Sequence, residues 1–264
     1  MLIIAERINS SRKSVARAIE SRDAAFIRGE AKAQDEAGAD YIDVNAGAFA
    51  GEEAECLRWV VEVVQKATDL PLAIDSPDPA VIQGVLPLLE RPPMINSITL
   101  EPARLNHILP LVTAHGARVI GLCQSEDKMA ESVDDKLRLA GQLVERVTRA
   151  GIPLSDLYID PLVYPLATHS GSAMAAMAAI DRIMGEFPGV HTICGLTNVS
   201  YGLPERKLIN RTFLAAAISR GLDAVIMDPT DPLLYAALKA GLAVAGKDDY
   251  CMDYIDAFRA GRLA

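Results

Sequence analysis

Short apolar runs punctuate this chain at a steady interval. They fall at about 2–8, 40–45, 71–75, 93–98, 118–123, 157–163, 191–196 and 224–228. Each is rich in Ile, Val and Leu and short enough to be a strand buried on both faces. Between them the period changes to that of a helix. Residues 52–67 carry Leu57, Val60, Val61 and Val64, and residues 134–149 carry Leu137, Leu139, Leu143, Val144 and Val147. The segment 22–38 closes on Gly38, and 210–219 and 231–243 are rich in Ala and Leu. Gly38, Gly116, Gly151 and Gly221 stand where a helix needs a left-handed residue to stop before the next strand. The pattern predicts eight strands, each followed by a helix, with no linker or low-complexity tract. It is an α/β chain, and residues 1–264 are expected to form one (β/α)₈ TIM-barrel domain. A doubly wound open sheet is the alternative. It needs fewer strands and usually a Gly-rich first turn, whereas this first turn reads "RINSSRKS".

The runs share a feature at their ends. "LYIDPL" stops on Asp160, "LAIDSP" on Asp75 and "VIMDPT" on Asp228; "YIDVNAG" carries Asp43 and Asn45, and "PMINSIT" carries Asn96. A carboxylate closing an apolar strand is costly unless something pairs with it. In a barrel the C-terminal strand ends face the active-site mouth. Glu6, Asn9, Asp43, Asn45, Asp75, Asn96, Gln124, Asp160, Asn198 and Asp228 are therefore expected to ring one cleft. Cations are scarce there: Arg7, and farther out Arg206 and Lys207. Such a mouth suits a ligand with many N–H donors, such as an amino-pyrimidine or pterin ring, and suits a phosphate poorly.

Composition narrows the class. Hydrophobic residues make up 50% and charged residues 23% of 264, an ordinary globular balance. A net charge of −9 argues against non-specific nucleic-acid binding. No apolar run is long enough for a membrane span, and "MLIIAERINSSRK" reads as a first strand rather than a signal peptide. The four cysteines are scattered without a CxxC pair, so a reduced cytoplasmic protein without a zinc or disulfide framework is expected.

"LIIAERIN", "AIDSP", "MINSIT", "LYIDPL", "GLTNVSYGLP" and "LINRTFL", in this order over essentially the whole chain, resemble the methyltetrahydrofolate:corrinoid methyltransferases of the pterin-binding TIM-barrel family. The resemblance implies transfer of a methyl group, in either direction, between N5 of tetrahydrofolate and the cobalt of a corrinoid. Tetrahydrofolate or 5-methyltetrahydrofolate would be the substrate. Asp75, Asn96 and Asp160 match the family's pterin-binding residues, Asn198 matches the asparagine beside N5, and Arg206 matches a basic residue near the p-aminobenzoate–glutamate tail. Thr197 replaces the serine of a frequent "LSNVS", and the loop "SYGLPERK" is individual to this chain. The cobalamin signature Asp-x-His-x-x-Gly is absent, since "TAHGAR" has Thr113 where Asp is needed. Cobalamin is then expected in trans, on a separate corrinoid-binding protein. The family also implies a homodimer.

The chemistry agrees with these residue types. A carboxylate accepts the adjacent 2-amino and N3–H donors of a pterin together, and Asn96 offers both donor and acceptor. Asn198 cannot protonate N5, but it can donate a hydrogen bond that strengthens as charge develops there. The proton comes from water or a nearby carboxylic acid.

Plainer readings stand beside these. Asp75 and Asp228 could cap the following helices, and for Asp228 that reading is preferred. Asp43 and Asn45 divide evenly between ligand contact and loop bracing. Glu6 and Arg7 could pair with each other. Cys123 and Cys194 read as packing residues, the four His as surface or loop residues, and Met174 and Met177 as helix core. A dihydropteroate synthase is the nearest enzymatic rival. That family places an Arg-x-His pair on its last strand, where this chain has "AVIMDPTDP", and a lysine where this chain has Asn198. A non-catalytic folate-binding protein is the rival of a different class.

Overall fold

A computed structural model describes residues 1–125 and 130–263. Eight parallel strands run β1 (Leu2–Asn9), β2 (Tyr41–Asn45), β3 (Leu72–Asp75), β4 (Met94–Ile98), β5 (Arg118–Leu122), β6 (Leu157–Asp160), β7 (His191–Thr192) and β8 (Ala224–Met227). Their order is β7-β6-β5-β4-β3-β2-β1-β8. The two edges meet through a parallel bridge between Gly195 and Ile226, with the Ile226 N–H donating to the Cys194 carbonyl at 3.0 Å. The sheet therefore rolls into a nearly closed TIM barrel, as the alternating pattern predicts.

The barrel is filled from within by one residue from each strand or its end. Ile4, Tyr41, Ala73, Met94, Ile120, Tyr158, Ile193 and Ala224 form one buried cluster. The opposite strand faces, including Ile42, Val44, Leu72, Ile74, Val119 and Ile159, pack outward onto the helices. This two-sided burial is why the strands read as continuous apolar runs.

Helices α1 (Lys13–Glu20) and α2 (Ala24–Glu36) both lie between β1 and β2, where the pattern predicts one. The apolar faces of α3 (Glu53–Gln65), α4 (Pro79–Val85), α5 (Pro102–His115) and α6 (Val133–Arg149) cover the barrel's first half. The apolar faces of α7 (Ser172–Glu186), α8 (Arg206–Ser219) and α9 (Pro232–Val244) cover the second, and α10 (Met252–Arg259) follows. The four predicted stop glycines all adopt left-handed backbone. At Gly116, the α5 cap, φ is +56°, and its N–H and that of Ala117 close the helix on Thr113 and Val112.

Three packing expectations need correction. Met177 packs against the core while Met174 is largely exposed, so the stripe is split. Of the surface-or-loop reading for His191 only the loop part fails: it opens β7 with its side chain 36% exposed, its ring stacked on Tyr158 at 4.6 Å and Nδ1 2.6 Å from Asp223. Strand β7 is two residues long rather than six, so Asn198 belongs to the 3₁₀ turn Leu196–Ser200 beyond it.

Candidate active site

Side chains alternate along a strand, so the residue two positions beyond each plug residue points into the same lumen. Those residues are Glu6, Asp43, Asp75, Asn96, Leu122, Asp160, Gly195 and Ile226, five of the eight polar. A polar layer thus lies directly above the apolar plug, toward the C-terminal strand ends. Along the rim the register pairs Asn9 with Asn45, Asn45 with Asp75 and Asp75 with Asn96.

A bulge in β1 shapes one side. The register jumps between Ala5 and Ile8, so Glu6 and Arg7 together oppose Asp43. Glu6 turns inward and Arg7 outward. Arg7 pairs with Glu30 of α2 at 2.6 Å and Asp228 at 2.9 Å, so the Glu6–Arg7 pair considered from sequence does not form. Burial pushes the Glu6 carboxyl up to about 7, with Asp228 adding to the rise against the pull of Arg12 and Arg206.

The three expected pterin ligands each have internal partners. Asp75 accepts from the Asn45 amide at 3.1 Å, and burial raises its carboxyl to about 6. Asn96 donates to Asp43 at 3.1 Å. Asp43 is 2% exposed, and its carboxyl is pushed well up, first by burial and then by the charge of Asp75. Asp160 accepts from the Leu162 N–H at 2.7 Å, and burial raises its carboxyl to about 6 against the hydrogen bonds it receives from Leu162 and Gly195. The carboxylate at the end of "LYID" is therefore held by backbone N–H groups from two segments.

Neither expected helix cap is one. Asp78 caps α4 and Asp231 caps α9. Asp75 is bonded to Asn45, and Asp228 braces its own turn through Thr230 and holds Arg7. Asn45 is a brace, tying Ser10, Gly47 and Asp75 together.

The single cleft expected from sequence is divided. A recess of about 330 Å³ is lined by Asp75, Asn96, Ser97, Thr99, Arg104 and Leu122, among others. A cavity of about 660 Å³ brings together Glu6, Asn9, Asn198, Arg206, Asn210 and Asp228. Asp160 lines neither and is 7% exposed. Arg12 and Lys207 also border the larger cavity, so its outer wall is more cationic than the strand ends alone indicate. Arg206, the first residue of α8, donates to Ser200 at 3.1 Å and to the Thr197 carbonyl at 2.8 Å, and its guanidinium lies over Tyr201.

Sequence reasoning missed two buried cations beside the site. Lys136 Nζ donates to the carbonyls of Ala130, Pro161 and Leu162 at 2.8, 2.6 and 2.8 Å. Arg104 donates to Ser97, Pro77 and Ser76. Both lie on helices with otherwise ordinary amphipathic patterns. Their only sequence signal is a cation in a first helical turn. Among the described residues no cluster of His, Cys, Asp and Glu could hold a metal ion.

An eight-stranded barrel with a lumenal layer of Asp and Asn above an apolar plug defines a class, and the chain belongs to it: residues 5–228 match the pterin binding enzyme family. Among characterised relatives, a methylcorrinoid:tetrahydrofolate methyltransferase of Eubacterium limosum is 37% identical over 265 aligned residues, covering 100% of this chain and 98% of that protein. A methionine synthase of Mycobacterium tuberculosis is 28% identical over 86% of this chain, which spans only 20% of that longer protein. Dihydropteroate synthases of Stenotrophomonas maltophilia (TM-score 0.67, 21% identity, 92% of each chain) and Coxiella burnetii (TM-score 0.68, 15% identity, 93% of each chain) share the fold.

Proposed function

We propose that this chain is a methyltransferase moving a methyl group between N5 of tetrahydrofolate and the cobalt of a corrinoid carried by a separate protein. The observation that carries the reading is the lumenal layer of Asp75, Asn96 and Asp160, together with a cavity lined by both Asn198 and Glu6. The full-length likeness to the methylcorrinoid:tetrahydrofolate methyltransferase supports the reaction. The likeness to dihydropteroate synthases, at 15% and 21% identity, speaks for the barrel alone.

In this reading Asp160 and Asp75 accept the 2-amino and ring N–H donors of the pterin, and Asn96 completes the hydrogen bonds. Asn198 donates to N5, and Arg206 meets the carboxylates of the substrate tail. When methyltetrahydrofolate is the donor, the N5–CH₃ bond breaks, the electron pair stays on N5 and a proton joins it. Glu6 supplies that proton through the larger cavity. A carboxyl that titrates near neutrality is matched to giving and taking a proton at working pH. In the reverse direction Glu6 takes the proton that N5 loses.

The chain serves as one domain over residues 1–264, supported by strand pairing from its first strand to its last. Among the described residues no helix is long and apolar enough to cross a membrane. A homodimer working in the cytoplasm on a corrinoid protein partner completes the proposal, and sedimentation tests the dimer. The deciding experiment is single-turnover transfer with free cobalamin in both directions, beside tetrahydrofolate titration. Folate binding with no transfer in either direction would leave a folate-binding protein instead.

A further inference from the structure

Two cations occupy positions that helices disfavour. Arg104 lies in the first turn of α5 and Lys136 in the first turn of α6, where the partial positive charge of a helix N-terminus repels them. Arg104 is 9% exposed and Lys136 is fully buried. Burying a charge is costly unless its donors are met. Here they are met by backbone carbonyls, and the carbonyls chosen are not random. Arg104 binds Ser76, Pro77 and Ser97, the residues directly after Asp75 and Asn96. Lys136 binds Pro161 and Leu162, the residues directly after Asp160, and Ala130.

The Lys136 arrangement is the tighter of the two. An ammonium has three N–H donors, and all three are used. Leu162 holds φ at +61°, a left-handed conformation that a leucine rarely adopts. That conformation aims the Leu162 N–H at Asp160 Oδ1, 2.7 Å away, while Lys136 grips the carbonyl of the same residue. The Tyr164 ring, 4.9 Å from Nζ, covers the ammonium.

We propose that Lys136 is a positioning residue for Asp160: it clamps the Pro161–Leu162 turn that fixes the carboxylate's orientation and sets a positive charge behind it. The inference rests on Asp160 binding the pterin. The titratable groups facing Asp160 are Lys136 from α6, the thiols of Cys123 and Cys194 from the ends of β5 and β7, and the Tyr164 phenol. Burial pushes both thiols upward and the phenol up to about 12, so they stay neutral near pH 7. Lys136 pulls the Asp160 carboxyl down against the effect of burial. Burial pulls the Lys136 ammonium below its ordinary value, while Cys123, Asp160, Glu131 and Asp135 oppose that fall and favour its charge.

The test is tetrahydrofolate affinity, by anaerobic calorimetry from pH 5 to 8.5, for the wild type, Lys136→Met and Lys136→Gln. Gln keeps amide donors for the turn and drops the charge, so it carries the test if Met prevents folding. Wild-type affinity is expected to fall as pH drops through about 6, where Asp160 and Asp75 both gain protons. Without the lysine charge the Asp160 part of that limb should move upward by roughly one pH unit, weakening binding about threefold at pH 6.5 and about tenfold well below pH 6. In an Asp160→Asn background, where only the Asp75 part of the limb remains, the same Lys136→Gln change should leave that part where it was. A limb unmoved by Lys136→Gln, or moved equally in the Asp160→Asn background, overturns the inference. A wild type that binds no folate, or whose limb survives Asp160→Asn unchanged, removes Asp160 from the pocket and the lysine's role with it.

Discussion

Asn96 donates its amide to Oδ1 of Asp43, 3.1 Å away, in a bond that passes from β4 to β2 across the intervening β3. An amide presents its nitrogen and oxygen on opposite sides, so this bond fixes the carbonyl oxygen as the group Asn96 offers to its recess. Asp43, which borders neither cavity, anchors a residue that borders one.

Asp43→Ala should therefore weaken tetrahydrofolate binding by about 1–2 kcal/mol without removing a ligand contact. The check is a double-mutant cycle with Asn96→Ala by calorimetry. The combined loss is expected to be well below the sum of the single losses. Additive losses would show that Asn96 needs no anchor.

Glu6 gives a pH signature. With its carboxyl near 7, transfer from methyltetrahydrofolate should be fastest below pH 7 and fall as pH rises and the proton is lost. Transfer onto tetrahydrofolate should show the opposite limb. Glu6→Gln should flatten both and lower the rate roughly 10²-fold or more. Stopped-flow single turnovers across pH decide it, and a limb persisting in Glu6→Gln would assign the proton to another group.

Asn198 should matter more to rate than to affinity. Asn198→Ala is expected to cost about 10²–10³ in single-turnover rate, as loss of a transition-state donor does in a dry site. A subtler probe is Gly195→Ala, because a Cβ there would sit 3.3 Å from the Asn198 amide nitrogen. That displacement should lower the rate roughly tenfold, given the steep penalty for misplacing a reacting group. Folate affinity measured alongside should change far less in both variants. Equal losses would make Asn198 an ordinary binding residue.

The ligand-free protein should be destabilised by its own site. The Asp160 carboxyl is raised to about 6 in the fold from an ordinary 3.8, so between those values the folded state holds the proton more firmly than the unfolded chain. Stability must then fall as pH rises through that window and stay low above it. The cost is up to about 3 kcal/mol for a shift of this size. Asp160→Asn should melt several degrees above wild type at pH 8, and the gap should close by pH 4. A constant gap would mean that the charge is not the cause.

The barrel was legible in the sequence because its strands are buried on both faces and write an apolar run each time. The polar layer was legible because Asp75, Asn96 and Asp160 end those runs. What escaped was set by pairings no local pattern records. The β1 bulge separates Glu6 from Arg7, yet "AERIN" looks like uninterrupted strand. Asp78 and Asp231, three residues beyond Asp75 and Asp228, take the cap positions, and either carboxylate of each pair satisfies the same local rule. Strand β7 ends early because "ICGLTN" turns into a 3₁₀ segment, although Ile193, Cys194 and Leu196 keep the apolar character of a strand. Lys136 and Arg104 escaped because a cation on a helix ordinarily means a solvated face.

The short β7 makes the barrel a ring with one weak clasp. Seven joints are laced by paired strands; the eighth rests on the Gly195–Ile226 bridge. When the ring breathes, that clasp should part first, and the Ile226 amide should exchange with solvent sooner than those of β3 and β4. Asn198 and Arg206 hang from the segment just past the clasp, whereas Asp75 and Asn96 sit across the ring on firmly laced staves. In the proposed reaction one arc can therefore yield to the corrinoid protein while the other holds the pterin.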